Sequence, residues 1–117
     1  MTPLRKKPLV TVLMPVYNGE EHLGEALDSL LGQAFEDFEL LAIDDGSTDG
    51  SGKILESRKD SRVRVVKNRE NLGQTATLNR GLELAKGELI ARADQDDIYL
   101  KDRLGKQAAF LNAHSDF

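Results

Sequence analysis

Apolar and polar positions along the chain switch repeatedly between the period of a strand and that of a helix. Leu9-Val10-Thr11-Val12-Leu13-Met14 is a near-continuous apolar, β-branched run, the pattern of a strand covered on both faces. Pro15 and Gly19 punctuate it. From Glu20 to Leu31, the apolar residues Leu23, Ala26, Leu27, Leu30 and Leu31 recur at spacings of three and four, one face of an amphipathic helix. Glu20, Glu21 and Glu25 come early in it, where the helix dipole favours anions. A second strand, Phe38 to Ile43, runs into the polar stretch Asp44 to Gly50, whose Ser, Thr and Asp residues are candidate caps for a short helix over Ser51 to Lys59. Arg62 to Lys67 alternates and predicts a third strand at a sheet edge, with its arginines toward solvent. Asn71-Leu72-Gly73 reads as a turn. Thr75 to Ala85 predicts a helix with Ala76, Leu78, Leu82 and Ala85 inward and Gly87 as its stop. A fourth strand, Glu88 to Ala93, ends in Asp94-Gln95-Asp96-Asp97, and a last helix runs from about Lys101 to Asn112.

This regular alternation of strand and helix is the α/β pattern, a mostly parallel sheet with helices on both faces and right-handed crossovers. The 117 residues fit one domain, without internal repeat, low-complexity segment or long linker.

Charge and composition remove several classes of function. The net charge is −4, and the 16 Lys and Arg residues are scattered, so binding to nucleic acid through phosphate neutralisation is not expected. With no cysteine there is no disulfide, thiolate metal site or thiol nucleophile. No apolar run approaches the ~20 residues of a membrane span. Three basic residues precede Leu9, but the apolar run that follows ends in a turn rather than a cleavage site. The expectation is a cytoplasmic protein, or a cytoplasmic domain whose membrane part lies elsewhere.

Chemistry concentrates after the strands. In an open parallel sheet, ligands bind beyond the carboxyl ends of the strands, near the point where strand order reverses. The first, second and fourth strands lead into Pro15-Val16-Tyr17-Asn18, Asp44-Asp45-Gly46-Ser47 and Asp94-Gln95-Asp96-Asp97, so the most polar turns converge on one edge. Up to five aspartates gather there with no lysine run to neutralise them. Crowded carboxylates repel unless they protonate or a cation joins them. Mg²⁺ or Mn²⁺ suits oxygen ligands, takes one or two carboxylates and leaves its other positions to water and phosphate. An acidic edge that holds such a metal becomes a receptor for a diphosphate.

Each piece has a simpler reading. Asp44 to Ser47 also reads as a turn and cap, and Asp-x-Asp triplets arise by chance in acidic loops. Tyr17 also reads as a plug over the sheet edge, and Asn71 and Gly73 as a left-handed turn. His22 and His114 are isolated and read as solvated. No Gly-rich phosphate loop of the dinucleotide or Walker type is present.

Taken together and in order, these segments resemble family 2 glycosyltransferases. The resemblance rests on Val10 to Gly19, Gln33 to Leu40, Asp44 to Asp49, Asn71-Leu72-Gly73 with Asn79-Arg80-Gly81, and Ala93 to Ile98 with Asp102-Arg103-Leu104. It runs from about Leu9 to Phe110. The resemblance implies the Rossmann-like GT-A nucleotide-binding half, a nucleoside diphosphate sugar as donor (most often UDP-linked), and Mn²⁺ or Mg²⁺. It places Pro15, Val16, Tyr17 and Asn18 around the nucleoside, with Tyr17 against the base. Asp45 would accept a hydrogen bond from that base, and Asn71 and Gly73 would line the pocket. Asp94-Gln95-Asp96 matches the family's metal-binding triplet, with Asp96 as the direct ligand and Asp94 supporting the ribose or metal.

The resemblance also implies inversion at the anomeric carbon and a catalytic carboxylate in an acceptor-binding half beyond Phe117. Asp97 is not that base. Residues 1–117 therefore read as a single donor-binding domain, truncated before the acceptor half and inactive in transfer alone, with glycan, lipid or protein as acceptor. Membrane association would come only through parts outside this chain. The rival readings are a non-catalytic nucleotide-binding module, a phosphoacceptor receiver domain and a nucleotidyltransferase. A receiver needs an acidic pair after the first strand, where this chain has Met14-Pro15-Val16-Tyr17, and a nucleotidyltransferase needs a Gly-rich basic loop there.

Overall fold

The computed structural model describes residues 7–113, with side chains to residue 110; His114 lies outside them. The order of elements is β1 (Val10–Val16), α1 (Leu23–Leu31), β2 (Phe38–Asp44), α2 (Ser51–Ser57), β3 (Val63–Lys67), α3 (Gln74–Leu84), β4 (Leu89–Arg92) and α4 (Arg103–Ala113). The strands form one sheet in the order β3-β2-β1-β4, and every pairing is parallel. No helix among the described residues is long and apolar enough to cross a membrane.

Strand order explains the layers. The chain steps one way from β1 to β3, then returns across the sheet to place β4 on the other side of β1. Right-handed crossovers put helices on opposite faces when the direction reverses. Accordingly Val10, Val12, Met14 and Val16 of β1 pack with Leu23 and Leu27 of α1, Leu55 of α2, and Leu104 and Ala108 of α4. Leu13, Leu41 and Ile43 face the other way, toward Leu78 and Leu84 of α3. β1 and β2 are buried on both faces, hence their unbroken apolar sequence. β3 is half-buried at the sheet edge, as its alternation predicts. The arginines here are engaged rather than merely solvated: Arg62, just before β3, lies 4.7 Å over the Phe38 ring and pairs with Asp60, and Arg64 within it pairs with Glu39.

Two expectations need correction in α3. Ala76 and Leu82 face solvent, Leu82 at 54% exposure, whereas Thr77 and Gly81 are buried. The helix rests on the sheet through Gly81, where a Cβ would lie 2.3 Å from Leu13 Cδ1 and 3.1 Å from Ile43 Cδ1. Close approach through a small residue rotates the contact face away from the larger apolar side chains. The helix also ends at Leu84, so Gly87 is not its stop. α1 begins at Leu23 rather than Glu20; the Glu20 carboxylate instead accepts the Gly50 N–H at the start of α2.

β1 is longer than its apolar run suggests and includes Pro15, opposite Ile43. The carbonyls of Val10-series and Leu13-series residues face different neighbours: Val16 O accepts from Asp45 N, and Leu13 O from Ala93 N. Pro15 is on the β4 side, two residues past the last β1–β4 pair, Leu13 with Arg92. Its missing N–H falls where no strand remains to receive it. β1 and β4 part here, and the gap opens at the carboxyl edge of the sheet, the switch point in strand order.

Candidate functional site

A cleft of about 330 Å³ occupies that gap, lined by Pro15, Val16, Tyr17, Asp45, Asn71, Gly73, Asp94, Gln95 and Asp96, and also by Gln74 and Thr77. Three strand ends and the start of α3 therefore meet around one space. Of the residues singled out in the sequence, Asn18 does not line it. Asn18 adopts φ 47°, and its side-chain oxygen accepts the Thr48 N–H at 2.8 Å, tying the β1 loop to the turn after β2.

On the wall formed by β2, Asp45 is 4% exposed. Its Oδ1 accepts from Asn68 Nδ2 and the Leu72 N–H, both at 2.8 Å. Its Oδ2 accepts from Asn71 Nδ2 and the Gly73 N–H, both at 3.0 Å. A carboxylate offers about four lone-pair sites, and all are engaged from within the chain. Burial alone would raise its pKa, but donation from Leu72, Asn68, Gly73 and Thr77 outweighs burial and holds it below the usual carboxylate range. Asp45 thus fastens the segment 68–73 against β2. Gly73, at φ +95°, then turns the chain into α3.

On the opposite wall, Gln95 takes up where the β1–β4 ladder stops. Tyr17 N donates to Gln95 Oε1 at 2.8 Å, and Gln95 Nε2 donates to Tyr17 O at 3.1 Å. The side-chain amide stands in for a strand's peptide group, on the side of β1 that β4 has left. Asp94 is held from behind by Tyr99, whose phenolic oxygen accepts the Asp94 N–H at 2.7 Å. Burial pushes the Tyr99 hydroxyl pKa up, so it stays neutral. Tyr99 and the following residues hang on Gln33, which is 4% exposed. Gln33 Nε2 donates to Leu100 O at 2.6 Å, and its Oε1 accepts from Leu104 N at 2.9 Å.

The electrostatics differ from the expected crowd of bare carboxylates. Asp44 accepts from Ser47 N, Asp45 is saturated, and Asp49 accepts from Ser51 N and Glu20 N. Amide donors stabilise the carboxylates on the β2 side, and Lys67 adds a positive charge near Asp44. Among the described residues no cluster of three or more His, Cys, Asp or Glu side chains could hold a metal. What remains is Asp94, Asp96 and Asp97 on one exposed loop, of which Asp94 and Asp96 line the cleft, Asp94 lying 3.7 Å from Arg92. Two hard oxygen donors at the mouth of an open cleft fit Mg²⁺ or Mn²⁺, which retain water and recruit phosphate oxygens, and fit poorly any metal that needs a protein cage.

Gln33, Asn68, Gln74, Thr77 and Arg80 have no site role in the sequence reading. Thr77 and Gln74 could have been found from their place on the first turn of a helix that starts at the sheet's carboxyl edge. The partners of Asn68 and Gln33 are fixed only by tertiary contact.

The glycosyl transferase family 2 model matches residues 11–117. A glycosyltransferase of uncharacterized role from Haemophilus influenzae is 42% identical over 106 residues, covering 89% of this chain and 42% of that protein. The crystal structure of S. aureus TarS residues 1–349 in complex with UDP-GlcNAc superposes with a TM-score of 0.82 at 34% identity, over 91% of this chain and 32% of that fragment. The mannosyltransferase PcManGT from Pyrobaculum calidifontis, in complex with GDP-Man and Mn²⁺, gives a TM-score of 0.82 at 29% identity, over 90% of this chain and 32% of that one. This chain spans less than half the length of each of these relatives. The family match covers nearly the whole sequence, and the cleft lies where a parallel sheet of this order places a ligand; the chain belongs to glycosyl transferase family 2.

Proposed function

We propose that this chain binds the donor for a cytoplasmic, inverting glycosyltransferase that moves a sugar from a UDP-sugar to an acceptor hydroxyl with Mn²⁺ or Mg²⁺. The observation that carries the reading is one cleft lined together by Tyr17, Asp45, Asp94 and Asp96. Tyr17, 46% exposed at the rim, offers a flat aromatic face for a base. Asp45 offers an acceptor for a ring N–H, and Asn71, Gly73, Gln74 and Thr77 bound the pocket between them. Gln95 holds the Tyr17 backbone and so fixes the spacing between the base side and the metal side. Asp94 and Asp96 would hold the divalent cation, Asp96 with no hydrogen bond or ion pair described for its carboxylate. Such a cation, when bound, offsets charge on the departing diphosphate. TarS in complex with UDP-GlcNAc and PcManGT with GDP-Man and Mn²⁺ support a sugar-nucleotide donor and a divalent cation.

The carboxylates that line the cleft, Asp45, Asp94 and Asp96, have base-binding and metal-binding roles in this reading, and Asp97 lies in the turn after Asp94. We assign the base and the acceptor site, for glycan, lipid or protein, to an acceptor-binding half outside this chain. The test is calorimetric titration of UDP and GDP with and without Mn²⁺, on this chain and on Asp96→Ala. Metal-dependent UDP binding that the variant loses supports the reading. Binding to neither nucleotide under any condition overturns it.

A further inference from the structure

Asn68 is 5% exposed, at the end of β3 and outside the lining of the cleft. Its amide lies between two charged groups of opposite sign. On one side, Arg80 of α3 donates through Nη1 to Asn68 Oδ1 and to Lys67 O. On the other, Asn68 Nδ2 donates to Asp45 Oδ1 at 2.8 Å and to Thr77 Oγ1 at 3.1 Å. A guanidinium can only donate, and an ionised carboxylate can only accept. The two ends of the amide are therefore not interchangeable: the oxygen must face Arg80 and the nitrogen Asp45. The backbone N–H of Asn68, bonded to Asp44 O at 2.8 Å, fixes the residue itself.

Resting on the donor-binding reading, we propose that Arg80 and Asn68 are positioning residues that hold Asp45 for nucleobase recognition. Through it they set the preference for a base that presents a ring N–H over one that presents a bare ring nitrogen. Besides the Thr77 hydroxyl, Asp45 has four internal N–H donors, so a base must replace one of them. Leu72 N and Gly73 N are backbone groups, and Asn68 is locked by Arg80. Asn71 is the exposed, rotatable donor, and its Nδ2 already divides between Asp45 Oδ2 at 3.0 Å and Asp45 O at 3.2 Å. Asn71 is the donor that yields, while the relay from Arg80 keeps the carboxylate in place. Uracil offers a ring N–H at the position where cytosine offers only a lone pair, which a carboxylate repels.

Arg80 is exposed on α3, so its replacement leaves the core intact. The experiment compares wild type, Arg80→Met and Arg80→Lys by calorimetric titration of UDP and CDP with Mn²⁺, and by hydrogen exchange of the Leu72 and Gly73 amides without nucleotide. The ratio of UDP to CDP affinity is expected to fall about tenfold in Arg80→Met, roughly the effect of one hydrogen bond to a charged group. It is expected to return to within about threefold of wild type in Arg80→Lys, which restores a donor to Asn68. Exchange at Leu72 and Gly73 is expected to accelerate about tenfold in Arg80→Met. Asn68→Asp, which sets a second carboxylate against Asp45, is expected to reduce the ratio further. An unchanged ratio with unchanged exchange in Arg80→Met overturns the relay. A wild-type chain that binds neither nucleotide overturns the donor-binding reading, and the relay's hold on Asp45 is then judged on exchange alone.

Discussion

Replacing Asp45 by asparagine removes a charge and changes almost no volume, yet the geometry predicts a large loss. An asparagine can place its one oxygen on only one side. With oxygen in the Oδ1 position, its NH₂ faces Asn71 Nδ2 and Gly73 N; flipped, it faces Asn68 Nδ2 and Leu72 N. Either way two hydrogen bonds are lost and donors confront a donor. Asn71 can turn to water, so the Oδ2 side is the cheaper one to forfeit. Hydrogen bonds to a charged group contribute ~1.5–3 kcal/mol each, and with one of the two lost partners free to rotate we expect ~2–3 kcal/mol of destabilisation. Urea denaturation at neutral pH would register this as a midpoint lower by ~1–2 M at unchanged slope. Because the folded-state pKa of Asp45 is depressed, its contribution is present above the ordinary carboxylate range and fades as pH falls through the lowered value. The gap between wild type and Asp45→Asn should therefore narrow in acid. A loss under ~0.5 kcal/mol at neutral pH, or a gap that widens in acid, would refute the assignment of four donors to this carboxylate.

Three further outcomes follow from particular contacts. Gly46 has φ +75°, and a Cβ there would lie 2.7 Å from Asn71 N and Glu70 C; Gly46→Ala should cost ~2–4 kcal/mol by denaturation, from a left-handed backbone plus backbone overlap, and should weaken UDP binding by displacing the 70–73 segment. Gln95→Ala should lower Mn²⁺-dependent UDP affinity ~10-fold or more while changing stability by less than ~1 kcal/mol, since its amide bonds are exposed; equal affinity by calorimetry would count against the clasp. The Arg62 guanidinium, by side-chain hydrogen bonding, lowers the Asp60 pKa to about 2. Its stabilisation is present above the ordinary 3.8 and lost as pH falls toward 2. In Asp60→Asn that acid-dependent increment, on the order of 1 kcal/mol after allowing for partial exposure, should vanish from a series of melts across this range.

Much of this was legible in the sequence because strands β1 and β2 carry their burial in their composition. The loops after β1, β2 and β4 declared themselves by polarity, and nine of the ten residues named from sequence line one cleft. Two physical facts escaped. The face of α3 that meets the sheet is chosen by Gly81, and a glycine gives no hydrophobic signal, so Leu82 and Ala76 misled. The charge state of the carboxyl edge depends on donors such as Leu72 N and Gly73 N, which are backbone groups and identical in every sequence. Asn18 and Gln33 illustrate the same limit from the side-chain end: their partners, Thr48 and Leu100, are 30 and 67 positions away.

The central place of β1 has a consequence for how the chain acquires its structure. Of the four described strands β1 is synthesised first and its neighbour β4 last, and Tyr17 and Gln95 are 78 positions apart. Contacts of such long loop closure form late and slow the search. Until they form, the unbroken apolar β1 presents a bare edge, the kind of surface on which nascent chains aggregate or recruit chaperones. Pulse-labelled amides of the β1–β2 ladder are expected to gain protection before Leu89 and Ala93, which makes the cleft mature after the β1–β2 core.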